Sequence, residues 1–234
     1  MNDPLFWVAI LSPFFFFAIT IAFGLAKQKA MNIPYRFTQY FPYELFLGKT
    51  SYQWENRMSE GLVLLSSFAA PLYLSFHLPP ILSSSRPFLY FLFGLMGVEA
   101  ILFYVLTWIS LAKERLHLLL FFLEVLLLSL LHSAFFFFYF SKYQRNILDD
   151  STPLLYAAIL SVVFFLLSFV PLLNPKLKDY AKLESHTLPD GSEELRRPKI
   201  FPLAASEWWE ILFGLLGFLT DGILMAWLAI TLNQ

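Results

Sequence analysis

Residues 116–140 read LHLLLFFLEVLLLSLLHSAFFFFYF, a stretch of Leu and Phe interrupted by Glu124 and His132, with His117 at its entrance. Two more acids, Glu99 and Asp221, sit in similar surroundings. Carboxylates in hydrocarbon are costly, so they are usually paired, protonated or functional. At about 1.5 Å per helical residue, Glu124 falls ~12 Å, Glu99 ~18 Å and Asp221 ~21 Å from the cytoplasmic ends of the helices expected to carry them. Three acids on three helices at comparable depth could converge on one interior site. No Lys or Arg is expected at that depth. Any charge must be met by histidine, water or a bound cation, or removed by protonation. One reading is a proton or cation relay. The other is three protonated acids serving as hydrogen-bond glue between helices.

His117 precedes Glu124 by seven residues and so lies on nearly the same helix face. It is either the mouth of a proton route towards Glu124 or a boundary residue wetted by headgroups. His77 and His132 both fall ~24 Å into their helices. Two imidazoles at equal depth could ligate a haem iron axially, as in helix-bundle b-type cytochromes. Alternatively each bonds a neighbouring helix or faces water in the outer leaflet. His186 lies in a polar loop and takes no role. No H-E-x-x-H, G-x-S-x-G or Walker A pattern occurs, which disfavours a metalloprotease, a serine hydrolase of known motif or an ATPase. No helix carries paired His at zinc-site spacing, so no metal site is expected.

The elements that must position these groups are membrane helices. Of 234 residues, 58% are hydrophobic, 14% are charged and 28 are Phe. A soluble domain keeps about a quarter of its residues charged. Net charge is -1, which gives no argument for nucleic acid. There is no Cys, which excludes disulfides, thiolate metal sites and iron–sulfur clusters. Six apolar stretches, 5–26, 61–82, 88–112, 116–140, 153–173 and 207–232, are each long enough to span a bilayer. The fold class expected is therefore an all-α integral membrane protein of six helices in a single domain covering 1–234. The N-terminal stretch MNDPLFWVAILSPFFFF lacks a basic leader and a cleavage pattern, and reads as a retained span.

Loop charges set the orientation. With both termini outside, the inner loops hold 13 Lys and Arg and the outer loops 3, a strong positive-inside bias. The surroundings expected are a lipid bilayer, most simply a bacterial cytoplasmic membrane. Two connections are long, 27–60 and 174–206. The first contains IPYRFTQYFPYELF, which is too polar to span and too aromatic to be free linker, so it should lie at headgroup depth or dock on a partner. The second holds LPDGSEELRRP, a turn signal beside a charge run. Trp208 and Trp209 follow as aromatic anchors at the inner interface.

Local signals refine the helices. Thr152-Pro153 reads as a cap with Pro at the first helical position. Ser206-Glu207 reads as the start of the last span. Pro71 should bend the second span and free a carbonyl. Gly94 and Gly97 near Glu99, and Gly214, Gly217 and Gly222 around Asp221, should let the third and sixth spans pack closely.

Three functions stay open on these residues. One is a multi-pass subunit of a larger membrane complex, moving protons, cations or a small solute through the Glu/Asp cluster. A second is a redox anchor for haem b or quinone. A third is a structural assembly subunit, or a lipid-handling enzyme with an unfamiliar site.

Overall fold

The computed structural model describes residues 4–30, 32, 35–46, 53–77, 79–107, 109, 113–175 and 183–232. The helices in chain order are α1 Pro4–Ala30, α2 Pro42–Phe46, α3 Gln53–Ser67, α4 Ala69–Phe76, α5 Arg86–Leu106, α6 Glu114–Gln144, α7 Thr152–Ser168 and α8 Pro202–Thr231. Short 3-10 turns cover Pro80–Ser85 and Pro171–Leu173. Five helical stretches are long and apolar enough to cross a membrane: Pro4–Ala30, Leu82–Leu106, Arg115–Gln144, Thr152–Leu173 and Pro202–Thr231. The second expected span is different. Its apolar helical part, Glu60–Phe76, is shorter than these and is interrupted.

The interruption has a local cause. A proline at position 71 cannot donate to the carbonyl of Ser67, and its ring crowds that carbonyl. Ser67 is where α3 ends. Phe68 sits between the two helices, its N–H donating to the Leu65 carbonyl at 3.3 Å in a tighter turn. The Phe68 ring then packs on α5 at Gly97, where a Cβ would stand 2.6 Å from ring Cε1.

The bundle turns its apolar side chains outward, as a helix in lipid must. On α6, Leu119, Phe122, Leu126, Leu130 and Phe137 are exposed, while Phe121, Val125, Leu128, Leu131, Phe135 and Tyr139 are buried. Helix α6 packs most extensively on α7, α1 on α3, and α5 on α6 and α3. The glycines serve other pairs than the one expected. Gly214 faces Leu128 of α6, Gly217 faces His132 of α6, and Gly222 faces Ile10 of α1. Nothing lies within 4 Å of a Cβ added at Gly94.

One end of the bundle is closed by segments 35–46 and 197–201 of the two long loops, which hold each other. Thr38 Oγ1 donates to the Lys199 carbonyl at 3.1 Å, Phe201 N–H to the Thr38 carbonyl at 2.7 Å, and Gln39 Nε2 to the Arg197 carbonyl at 3.1 Å. Arg197 reaches back to Glu44 at 2.6 Å and lies over the rings of Tyr40, Phe41 and Phe201. Glu44, third residue of α2, also accepts the Phe41 N–H at 2.8 Å, half of a capping box. Leu45 seats α2 on α1 in the space left at Gly24. We call this end the clasp. At the far end, Lys142 Nζ donates to Ser85 Oγ, and Phe6 packs on Tyr73.

Two hydrophobic clusters fill the bundle. The smaller, around Phe41, Phe121, Phe201 and Leu203, lies at the clasp. The larger, around Leu74, Leu92, Phe135, Tyr139 and Leu154, fills the far half. Among the described residues, the all-α fold is modified only in the second long loop. There Glu184–Thr187 (β1) and Glu193–Arg196 (β2) pair antiparallel and are exposed. The turn between them needs Gly191, at φ +84, and Asp190 Oδ1 accepts from the Ser192 N–H and hydroxyl. The boundaries of α7 and α8 also shift. Ser151 rather than Thr152 occupies the N-cap position. Helix α8 begins at Pro202, so Ser206 and Glu207 lie inside it rather than at its start. Ser206 Oγ donates to the Pro202 carbonyl within that helix.

Candidate functional site

Helices α6 and α8 both start at the clasp and run in the same direction. Their polar residues meet in three layers. Nearest the clasp, His117 and Glu207 are both fully buried, and His117 Nε2 lies 2.5 Å from Glu207 Oε1. The other ring nitrogen, Nδ1, is 2.6 Å from the Ile109 carbonyl. A carbonyl only accepts, so Nδ1 carries a hydrogen and donates it. The Nε2–Oε1 contact then holds one further proton, on the imidazole or on the carboxyl. Phe41 closes this layer edge-on to the imidazole.

The second layer is a cleft with about 360 Å³ of empty space, open surroundings included, lined by Glu99, Glu124 and Glu210 together with Val63, Phe103 and Phe218. The three acids are 3%, 3% and 1% exposed. Glu99 Oε2, Glu124 Oε2 and both oxygens of Glu210 have no hydrogen-bond partner. They are close enough that charge on one acts on the others. No Lys, Arg or His is among the lining residues.

The third layer pairs His132 with Asp221, Nδ1 to Oδ2 at 3.1 Å. This is ion-pair distance, but the angle is not that of a hydrogen bond, and both atoms keep their hydrogen-bonding capacity. The imidazole stacks on Phe164 and occupies the space at Gly217. Seven residues on, the buried Tyr139 hydroxyl has no partner and feels the Asp221 carboxylate. Between the second and third layers Leu128 packs on Gly214, an apolar partition. A buried Ser129–Ser168 hydroxyl pair, 2.6 Å apart, joins α6 to α7 nearby.

The expected convergence of Glu99, Glu124 and Asp221 is therefore partial. Glu99 and Glu124 share the cavity, but Asp221 does not line it and faces His132 instead. The reason is where the helices end. Helix α5 stops at Leu106 rather than 112, which brings Glu99 to ~10 Å from its clasp end. Helix α8 starts at 202 rather than 207, which moves Asp221 to ~28 Å. The α8 residue at the level of Glu124 is Glu210. Glu207, Glu210 and Tyr139 are the site residues that sequence reasoning missed. Tyr139 continues the stripe 117, 124, 132 on α6, and Glu207 and Glu210 stand three apart on one face of α8. Those spacings were the available signals.

The two histidines considered for haem lie in unlike environments. His132 is enclosed as described. His77 caps α4, is exposed, bonds the Tyr73 carbonyl at 2.8 Å and stacks on the Tyr73 ring at 4.1 Å. Trp208 and Trp209 are half-buried and hydrogen-bonded. Trp208 Nε1 donates to the Tyr40 carbonyl at 2.9 Å and the Tyr35 hydroxyl at 3.1 Å, and Trp209 Nε1 to the Leu167 carbonyl at 3.0 Å. The aromatic loop thus docks on its own chain. Burial pushes the Tyr35 phenol well above its ordinary value, which keeps it protonated to share with the Tyr40 and Phe41 carbonyls. No group of three His, Asp or Glu that could hold a metal ion occurs among the described residues.

Comparison with protein-family models, with curated proteins and with solved structures finds no match. The functional reading rests on the geometry alone.

Proposed function

We propose that the chain is a multi-pass membrane protein that carries protons along the seam between α6 and α8. The observation that carries this reading is the stack of three buried polar layers at matched heights on two parallel helices, inside a bundle whose outer faces are Leu and Phe. A proton enters at His117–Glu207, where one proton already lies in a short nitrogen–oxygen contact. It passes to the Glu99, Glu124 and Glu210 carboxyls, which exchange it among themselves. Crossing the Leu128–Gly214 partition, about 12 Å along α6, calls for a transient chain of waters that hands the proton to His132–Asp221, from where it leaves past Tyr139. Each step moves one proton between an oxygen or nitrogen lone pair and the next, and each donor is reset by the proton that follows. The absence of a three-ligand cluster among the described residues favours protons over a tightly coordinated metal cation.

The same reading takes the chain through six crossings. Residues 53–76 lead from the clasp, where α2 docks, towards the far end, where Ser85 meets Lys142. The inner connections expected from the sequence hold 13 of the 16 Lys and Arg, and a positive-inside bias supports a cytoplasmic clasp with both termini outside. Residues 38–44 and 197–201 satisfy each other, so these segments have a docking surface within the chain, although the chain can still serve within a larger membrane complex.

The test is proton flux into liposomes containing the purified protein, read with an internal pH dye under an imposed potential. Flux is expected in the wild type and is expected to fall at least tenfold in Glu124→Gln and His132→Gln with melting temperature unchanged. An amide keeps the shape and hydrogen bonds of a carboxyl but cannot cycle a proton. Full flux in Glu99→Gln, Glu124→Gln and Asp221→Asn would leave the acids as helix-packing groups.

A further inference from the structure

The break before Pro71 does more than bend a helix. Ser67, the residue at the break, lines three clefts at once: the carboxyl-lined cavity, a cleft of about 330 Å³ towards Thr20 and Glu60, and an apolar cleft of about 400 Å³. The apolar cleft runs along α1 and α8 between Ile10, Pro13, Phe14, Met96 and Gly222. It shares Leu215 and Phe218, as well as Ser67, with the carboxyl cavity. The two are thus adjoining compartments, one apolar and one carrying three acids.

We propose that these compartments form a binding site for a lipophilic amine, with its ammonium among Glu99, Glu124 and Glu210 and its hydrocarbon body in the apolar cleft. Charge complementarity selects the head group. Four carboxyl oxygens lack a hydrogen-bond partner, their side chains are at least 97% buried, and no basic residue lines the cavity. An ammonium has three donors and a full charge to offer such oxygens. Phe103 and Phe218 add aromatic rings to the same wall, a residue type that attracts organic cations. An anion or a carbonyl head would meet only acceptors unless the acids were protonated. The apolar cleft sets the tail, since its wall offers Ile, Phe, Pro and Met with one serine hydroxyl. The site uses the middle layer of the seam but does not depend on protons crossing the molecule.

The experiment uses the full chain in lipid nanodiscs, with a long-chain alkylamine bearing a benzophenone and the matching alcohol as probes. Photolabelled positions are mapped by mass spectrometry. The amine is expected to label peptides containing Met96, Leu215 or Phe218 saturably, at least fivefold more than the alcohol. In the Glu99→Gln, Glu124→Gln, Glu210→Gln triple variant that excess is expected to vanish. Should the triple variant fail to fold, Glu210→Gln alone is expected to lower labelling at least threefold. Equal labelling by amine and alcohol would reduce the cleft to a lipid-filled groove and overturn the proposal. Labelling insensitive to the glutamine variants would overturn it too. His132→Gln separates the two readings, because it is expected to stop proton flux while leaving amine labelling intact. A protein that labels but never conducts refutes the proton path alone.

Discussion

Gly217 shows how a single residue sets the chemistry of its neighbour. A Cβ there would stand 2.5 Å from His132 Cε1 and 2.6 Å from Nε2. Replacing Gly by Ala in a helix normally stabilises by about 1 kcal/mol. Here the new methyl meets a ring already pinned against Phe164, and overpacking costs about 1–3 kcal/mol. The clash outweighs the propensity gain. Gly217→Ala is expected to lower the melting temperature and to push His132 away from Asp221. Gly94→Ala, where a Cβ meets nothing, is expected to be neutral or stabilising. Thermal unfolding of the two variants side by side checks the contrast. At this scale the sequence was informative about identity and less so about pairing. The type and burial of Glu99, Glu124 and Asp221 follow from acids in apolar helices, whereas His117, read as either a route mouth or a headgroup-wetted boundary residue, is buried against Glu207. The partners of these groups do not follow, because a partner depends on which residue stands at equal height on the next helix. An error of five or six residues at a helix end is enough to exchange Glu210 for Asp221.

At the scale of the element, the pair α3 and α4 is where local chemistry overrides apolar periodicity. Residues 61–82 look like one span because hydropathy does not weigh a single proline. The backbone does, since Pro71 removes one hydrogen bond and crowds the Ser67 carbonyl. Pro71→Ala is expected to join α3 to α4 in a continuous helix and to stabilise it by roughly 1–3 kcal/mol. It is also expected to narrow the three clefts that meet at Ser67. Thermal unfolding measures the first effect, and a loss of alkylamine labelling the second. A less stable Pro71→Ala variant would mean that the break is imposed by packing of Phe68 on Gly97 and not by the proline. Helix ends elsewhere were harder to read. Residues 202–206 extend α8 although Ser206 has the chemistry of a cap, because Pro202 already supplies a favourable first residue and Phe201 is fixed by its bond to Thr38.

Taken whole, the molecule is closed at one end by contacts between segments about 160 residues apart in sequence. Arg197 is the central cation of that closure, paired with Glu44 and covering three aromatic rings. Both partners keep about a quarter of their surface exposed, so solvent screens the pair. With the ring contacts included, Arg197→Ala is expected to cost on the order of 1–2 kcal/mol. The clasp also has an alkaline limit. Tyr35 has its phenol raised by burial, so its contribution is complete below the unfolded value of about 10 and is lost as pH rises beyond it. Tyr35→Phe is expected to flatten the alkaline side of the stability curve, as followed by Trp fluorescence. Sequence reading correctly marked the 35–46 segment as neither spanning nor free. It looked for the docking surface outside the chain, because nothing in a linear sequence pairs Thr38 with Lys199. Reporter fusions at Gly48 and Asp190 are expected to give a cytoplasmic signal. A signal from the opposite side would invert the proposed orientation.

The Leu128–Gly214 contact has an electrical consequence. In the proposed path the polar layers on either side of it are more polarisable than the partition, so a potential across the membrane is expected to drop mainly there. Moving one elementary charge through the full drop changes its energy by about 2.3 kcal/mol per 100 mV. In the proposed path the hop from the Glu124–Glu210 level to His132 takes most of that change, while the entry and exit steps take little. The current would then depend steeply on voltage through one step. Leu128→Ser, which places a hydroxyl in the partition, is expected to spread the field and flatten the current–voltage relation. A relation unchanged by that substitution would put the dielectric barrier elsewhere in the bundle.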